Sequence, residues 1–492
     1  MYGRPNGNAN LQSPNHFMGH PNRKSARPIF LFLKIAVRII YIRGSDRRSS
    51  RNTFLALKKM SLTNTKPSSA ASEAEGLDMI SELPNCILHS ILSFLPAQDA
   101  ARTSVLSSGW RHLWEEAPLR LDDESLCRNE QLVSRIFYAH RGPIESFRLF
   151  CYTRATIDGF VESAVKRGIR ELTLEGYGHH SFELPPSLVP CNSLHQLSLR
   201  LGEFPHRVLP LPSIFPNLKE LRLSCVELHN DLLQILLSTC GSLDTLHLID
   251  CWDPSVVSIS SPRLRKFSWK SSAVDELIIK DTPNLESFKL DVYAPAHTGV
   301  KVLDAPKLQF LGFLCLNFHA LQLGETLYDL QETPSFHVKA APCRMKILSS
   351  VKTLAIKIKP TLDKTIPDIL RCFTFLENLF IMKYERRGRG YYSHYWNEQG
   401  SLSFLDHLKT VNMRGFYGDW SDVELLRYLV LHGKVLKKVT LRCAVLVCQK
   451  FVETKRRQVC FEERASSDLE LLFYQDAQNV DQFSPWKEVV IR

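Results

Sequence analysis

The side chains of this chain that could do chemistry are a histidine pair, a basic and aromatic run, and scattered carboxylates and thiols. His179 and His180 are adjacent. Neighbours in sequence do not share a helix face, so the pair lacks the spacing of two metal ligands. The chain holds no G-x-S-x-G elbow, no phosphate-cradling lysine loop and no H-E-x-x-H zinc helix. Its carboxylates are dispersed at solvated positions. The sequence therefore points away from catalysis, and the expectation is a non-enzymatic protein without cofactor or metal. The basic run is different: Arg386, Arg387 and Arg389 interleave with Tyr391, Tyr392 and Trp396. Charge beside stacking surfaces suits RNA or an acidic peptide. The same run also reads as an insertion between repeats. On the first reading these six residues are the contact set for a target.

A loop of this kind needs a scaffold, and two patterns supply one. The first is short and lies near the front. Ile87, Leu88, Ile91, Leu92 and Leu95 fall at i, i+1, i+4, i+5 and i+8, which draws a broad apolar stripe along a helix. Pro84 suits a first helical turn, and Pro96 stops the helix. A second helix fits Ala97 to Leu106, with Ala100, Ala101 and Val105 inward. Ser107 or Ser108 caps a third, which carries Trp110, Leu113 and Trp114. Some 40 residues of this kind are too few for a self-sufficient core. The missing part of that core comes from the rest of the chain or from another protein.

The positions Leu83-Pro84, Ile87-Leu88, Ile91-Leu92, Phe94-Leu95-Pro96 and Ser107 to Trp114 resemble the F-box of plant F-box proteins. That resemblance implies a docking role. F-box proteins bind the Skp-type linker of a cullin–RING ubiquitin ligase, and a separate domain holds the target. By this likeness Leu83, Pro84, Ile87, Leu88, Ile91, Leu92 and Leu95 face the linker. Val105, Leu106 and Trp110 divide between the linker and the unit's own core.

The second pattern is a repeat. An alternating apolar pair recurs with its first members at Phe147, Leu172, Leu197, Leu221, Leu246 and Phe267, in steps of 25, 25, 24, 25 and 21. Each pair reads as a short strand that turns its apolar side chains into a stack. One such unit cannot bury its own face, so neighbours must stack into a solenoid of leucine-rich-repeat period. The array continues through Leu277, Phe288, Leu311, Leu354 and Leu379. Asn192, Asn217 and Asn284 stand before the motif rather than after it, and Ser-Pro, Thr-Pro and Ala-Pro turns suit its corners. Further on, Leu408 to Gly418, the helical segment 422–431, Leu436 to Leu441 and Arg464 to Phe473 resemble the FBD domain of plant F-box/LRR proteins. Gly415 and Gly418 fit the turn out of a strand there, and Ser421 caps the helix. The expected fold is mainly an α/β leucine-rich-repeat solenoid, with a three-helix F-box before it and an FBD-type α+β domain after it.

Composition bounds the rest. The net charge is +11, but residues 1–60 hold twelve basic side chains and a single acid, Asp46. The remainder carries fifty of each sign, so the high isoelectric point is a property of the leader and does not argue for a nucleic-acid binder. The thirteen cysteines show no C-x-x-C pair or zinc spacing. They read as reduced thiols of a protein in the cytoplasm or nucleus. The apolar run Ile29 to Ile42 is interrupted by Lys34 and Arg38 and is too short to span a bilayer. It reads either as a transit-like or membrane-surface helix or as part of an unstructured leader ahead of a start at Met60. The expected organisation is a basic leader at 1–59, a linker at 60–76, the F-box at 77–117 and irregular repeats at 140–381. The basic and aromatic loop then occupies 382–400, the FBD-like domain 401–480 and a tail 481–492. The expected partners are a Skp-type linker and an unidentified target protein, with nucleic acid disfavoured and no membrane span.

Overall fold

A computed structural model describes residues 83–151, 154–176, 181–204, 214–252, 255–271, 274–292, 298–315, 318, 320–324, 326–329, 348–358, 366–383, 396 and 402–476. The leader, the linker, the tail, His179, His180 and the loop residues Arg386, Arg387, Arg389, Tyr391 and Tyr392 lie outside the described residues. Among the described residues no helix is long and apolar enough to cross a membrane. The chain divides into two compact units, Met1–Pro143 and Ile144–Arg492.

The first unit contains α1 (Asn85–Leu92), α2 (Ala97–Arg102), α3 (Leu113–Glu116), β1 (Leu119–Asp122) and α4 (Glu130–Ala139). Pro84 is not in the first turn of α1 but at its N-cap, where its carbonyl accepts the amides of Ile87 at 2.9 Å and Leu88 at 3.2 Å. Pro96 holds the same place before α2, so it starts one helix rather than ending another. The second helix is shorter than its apolar pattern suggests. It gives way to a 3-10 turn at Thr103–Val105. Three residues per turn, instead of 3.6, rotate the following side chains out of the helical phase. Thr103 takes the inward position, with its hydroxyl donating to the Ala100 carbonyl at 2.7 Å.

The second unit is a stack of coils. Its first strands are β2 (Ile144–Cys151), β3 (Glu171–Gly176), β4 (Phe182–Glu183), β5 (Gln196–Arg200), β6 (Gly202–Glu203) and β7 (Glu220–Ser224). The middle coils hold β8 (Thr245–Ile249), β9 (Val256–Ile259), β10 (Lys266–Ser271), β11 (Glu276–Ile279), β12 (Ser287–Val292), β13 (Gly299–Val302), β14 (Phe310–Cys315), β15 (Ala320–Leu323) and β16 (Thr326–Asp329). The last are β17 (Thr353–Ile358), β18 (Asn378–Lys383), β19 (Thr410–Phe416), β20 (Lys438–Cys443) and β21 (Glu470–Gln475). The main sheet joins β2, β3, β5, β7, β8, β10, β12, β14 and β17 to β21 in chain order, all parallel.

One inward row passes through every one of these strands. Phe147, Leu172, Leu197, Leu221, Leu246, Phe267, Phe288, Leu311, Leu354, Leu379, Val411, Val439 and Leu471 are successive register partners. All are buried. Leu277 departs from this row. It sits on β11, in a second sheet of order β16-β15-β13-β11-β9. The step lengths have the same cause. Where the chain returns through a helix, as through α5 (Arg154–Lys166) and α6 (Asn230–Thr239), the step is 25 residues. Where it returns through β9 or β11, the step is 21. A strand advances about 3.3 Å per residue against about 1.5 Å for a helix, so it covers the return with fewer residues.

The asparagines before the motif staple the coils. Asn217 donates its side-chain amide to the Asn192 carbonyl at 2.7 Å, and Asn284 donates to the Pro262 carbonyl at 2.7 Å. Beside them runs a backbone ladder, in which the carbonyl before each strand accepts two amides of the next coil. Lys219 accepts from Asp244 and Thr245, Asp244 from Arg265 and Lys266, Glu377 from Lys409 and Thr410, and Lys409 from Lys437 and Lys438. The ladder crosses into the C-terminal segment without a break, so the FBD-like region continues the solenoid sheet.

Candidate functional site

The first unit builds a small core of its own from Leu88, Leu92, Leu95, Ala100, Trp110, Leu113 and Ala117, with Leu83, Leu106 and Trp114 packed at its edge. This corrects the linker-facing set in part. Leu88, Leu92 and Leu95 face inward and Ile91 is likewise buried, while Trp110, expected to divide between the linker and the unit's own core, lies in the core. The reason is economy of core: a unit with so few large side chains needs these to close its own interior. Of the remaining expected contacts, Pro84 is exposed while Leu83, Ile87 and Leu106 are half-buried. Val105, placed inward by the helical pattern, is 77% exposed because of the 3-10 turn. Phe94 was not in the expected set and is 51% exposed. Its signal was its place between α1 and Pro96, where a helix-ending residue leaves the stripe. The large side chains offered to solvent in this unit are thus Phe94, Val105 and, on α4, Tyr138, with Pro84 exposed and Leu83, Ile87 and Leu106 half-buried.

The loop set is also corrected at its one described member. Trp396 is 3% exposed, and its ring lies 5.1 Å from that of Tyr428. It is a core residue and offers no surface to a target. Tyr428 belongs to α8 (Trp420–His432), which follows α7 (Ile366–Leu370) in chain order. The cap of α8 is Asp419, whose carboxylate accepts the Asp422 amide at 3.0 Å, while Ser421 lies within the first turn. The loop from β19 into α8 is held by Asp422. Its second oxygen accepts the amides of Tyr417 at 2.8 Å and Gly418 at 2.9 Å. Its first oxygen stands 2.5 Å from the Lys383 ammonium, and both side chains are sealed from water. Burial pushes the Asp422 carboxyl up, and Lys383 opposes that shift. Gly415 has φ +74, and a Cβ there would lie 2.3 Å from the Lys383 carbonyl. Backbone and ion pair together lock the last repeat strand β18 to the start of the C-terminal region.

No group of three or more His, Cys, Asp or Glu is placed to hold a metal among the described residues. The buried thiols are structural. Burial pushes Cys240, Cys315 and Cys443 up to about 12 and Cys251 to about 11. Neutral thiols of this kind behave as small apolar groups. The described residues form two kinds of surface: a helical unit that keeps some apolar side chains outside, and a long sheet whose outward face is largely polar.

These features define a leucine-rich-repeat interaction protein with a separate helical docking unit. Comparison with known proteins agrees. The F-box domain model matches residues 80–122, and the model for the LRR repeats of the FBD-associated F-box protein At5g56370 matches 157–381. The FBD model matches 402–441. The F-box/FBD/LRR-repeat protein At3g52680 of Arabidopsis thaliana is 27% identical over 461 residues, covering 83% of this chain and 96% of the relative. The F-box/LRR-repeat proteins At4g14103 and At3g59190 of the same plant are 32% and 30% identical, over 49% and 56% of this chain and 70% and 76% of their own lengths. The chain belongs to the plant F-box/FBD/LRR-repeat protein family.

Proposed function

We propose that this protein is a substrate-recognition adaptor of an SCF-type ubiquitin ligase, acting in the cytoplasm or nucleus. The F-box docks the Skp-type linker, and the repeat and FBD region holds a target protein. The single observation that carries this reading is the placement of Val105 and Phe94. A unit that closes its own core still leaves these two large apolar side chains in water within the segment that matches the F-box, which supports an interaction surface there. The adaptor breaks no bond itself. It holds a target lysine near the ubiquitin-conjugating enzyme and raises its effective concentration there.

Co-purification with a Skp-type linker tests the reading. Val105→Glu is expected to weaken capture by about tenfold or more, because a charge enters a face that must be desolvated. Its thermal midpoint should match wild type, since the side chain is exposed in the free protein. Leu83→Ala with Pro84→Ala should lose capture as well. Full capture by both variants would remove the adaptor reading.

A further inference from the structure

We propose that the outward face of β7, β8, β10 and β12 is a docking site for an extended acidic segment of the target polypeptide. The inference rests on the adaptor reading, because it assigns a chemistry to the target-holding surface.

The register brings the relevant residues together. Arg222 on β7 is the partner of His247 on β8, His247 of Ser268 on β10, and Ser268 of Lys289 on β12. Lys266 and Lys270 flank Ser268 on its own strand, two positions before and two after. Four cationic side chains therefore surround one serine. Lys266 and Lys289 are exposed; Arg222, His247, Ser268 and Lys270 are half-buried. Among the described residues Arg222, Lys266 and Lys289 make no ion pair. Several cations elsewhere in the solenoid are matched across coils: Arg148 with Glu175 at 2.7 Å, Arg265 with Glu286 at 2.7 Å, Lys409 with Glu377 at 2.7 Å, and Arg414 with Asp476 at 3.1 Å.

The acids near the cluster offset it only in part. Asp291 is engaged by Lys357. Asp291 is also the register partner of Lys270, and Glu220 lies 3.6 Å from the His247 imidazole, which is uncharged at neutral pH, so the four cations outnumber the two bordering carboxylates. Burial, followed by Arg222, Lys289 and Lys266, pushes His247 down to about 4. Burial and Lys266 likewise lower Lys289. The unligated face thus holds like charges against one another, and an anionic ligand would relieve that repulsion.

Geometry selects the form of the ligand. Arg222 and Lys289 are three strand spacings apart, about 14 Å, and Lys266 and Lys270 are about 13 Å apart along β10. An extended peptide repeats its side chains on one face every ~6.7 Å, so carboxylates at i, i+2 and i+4 span about 13 Å. The local aromatics argue against a nucleic acid. Phe267, Trp269 and Phe288 point inward and are buried, and the outward phenyl ring beside the cluster, that of the half-buried Phe310, is 5.9 Å from the Lys289 ammonium, so a row of exposed stacking platforms such as single strands need is not offered by these residues.

The test uses the full chain and a fluorescein-labelled peptide of alternating glutamate and threonine, read by anisotropy. Binding should fall by roughly tenfold in Arg222→Glu with Lys289→Glu, and should weaken steeply between about 50 and about 300 mM KCl. Lys450→Glu, on the exposed helix Gln449–Gln458, should bind as wild type does. If the double reversal lowers the thermal midpoint, Lys266→Gln with Lys289→Gln replaces it, since both side chains are exposed. Equal binding of the same peptide with glutamine for glutamate overturns the proposal. So does unchanged binding by the variants, or tighter binding of an oligouridylate that displaces the peptide. Linker capture is read from the same preparation. Capture without peptide binding rejects this surface and leaves the adaptor reading, whereas peptide binding without capture keeps the surface and rejects the adaptor.

Discussion

The helical unit and the repeat body solve the same problem in opposite ways. The helical unit has a core cluster of seven residues and still leaves Val105 and Phe94, in its F-box segment, on the outside. The body extends one buried row from Phe147 to Leu471, each coil covering the next, and keeps charge on the sheet's outward face. The difference teaches that the two surfaces work by different forces. Contacts through Val105 and Phe94 draw on apolar burial, which added salt scarcely weakens. Contacts through Arg222, Lys266 and Lys289 draw on charge, which salt screens within a Debye length of about 8 Å at physiological ionic strength. A single binding experiment at two salt concentrations separates them.

The contrast also predicts how each region breaks. Trp110→Ala should cost about 3–5 kcal/mol, because it empties the centre of a small core. Thermal unfolding of the first unit, with loss of linker capture, is the readout. Lys383→Met should cost a similar amount, about 3–5 kcal/mol, by stranding the buried Asp422 carboxylate. Its damage should be local, however, since coils depend mainly on their neighbours. Hydrogen exchange should rise around β18, β19 and α8 while amides near β3 to β7 stay protected. Uniform loss of protection would show that the body is not a stack of nearest neighbours. Asn217→Ala, which removes one staple between coils, should cost only about 1 kcal/mol in the same assay.

The inward row was legible because leucine at a fixed step carries its own signal, and it held through Leu379 and on into Val411 and Val439. What the periodicity could not carry was a change of helix type or of return element. Val105 was misplaced because nothing in its pattern marks a 3-10 turn. Leu277 was misplaced because a strand on the second sheet has the same alternation as one on the first. Leu88, Leu92 and Leu95 were assigned to a partner although a unit of this size needs them itself. The charged cluster was invisible for another reason. Arg222, Lys266 and Lys289 stand at ordinary polar positions of three separate repeats, and only the register makes them neighbours.

The smallest expected effect sharpens the contrast most directly, because it reports the local field without unfolding anything. His247 faces Arg222, Lys266 and Lys289, with Glu220 at 3.6 Å. An NMR titration should place its imidazole at about 4, below the ordinary histidine value of 6.5. The sign for stability follows. Between about 6.5 and about 4 the unfolded chain takes up a proton that the folded chain refuses, so folding weakens as pH falls through that window. Above it the group has no effect on the balance. Burial is the larger cause and the cations are the lesser ones, so Arg222→Gln should raise the midpoint only part of the way. A midpoint that does not move would mean that burial alone depresses His247. A midpoint near 6.5 in the wild-type protein would mean that neither burial nor the neighbouring cations depress His247 against Glu220.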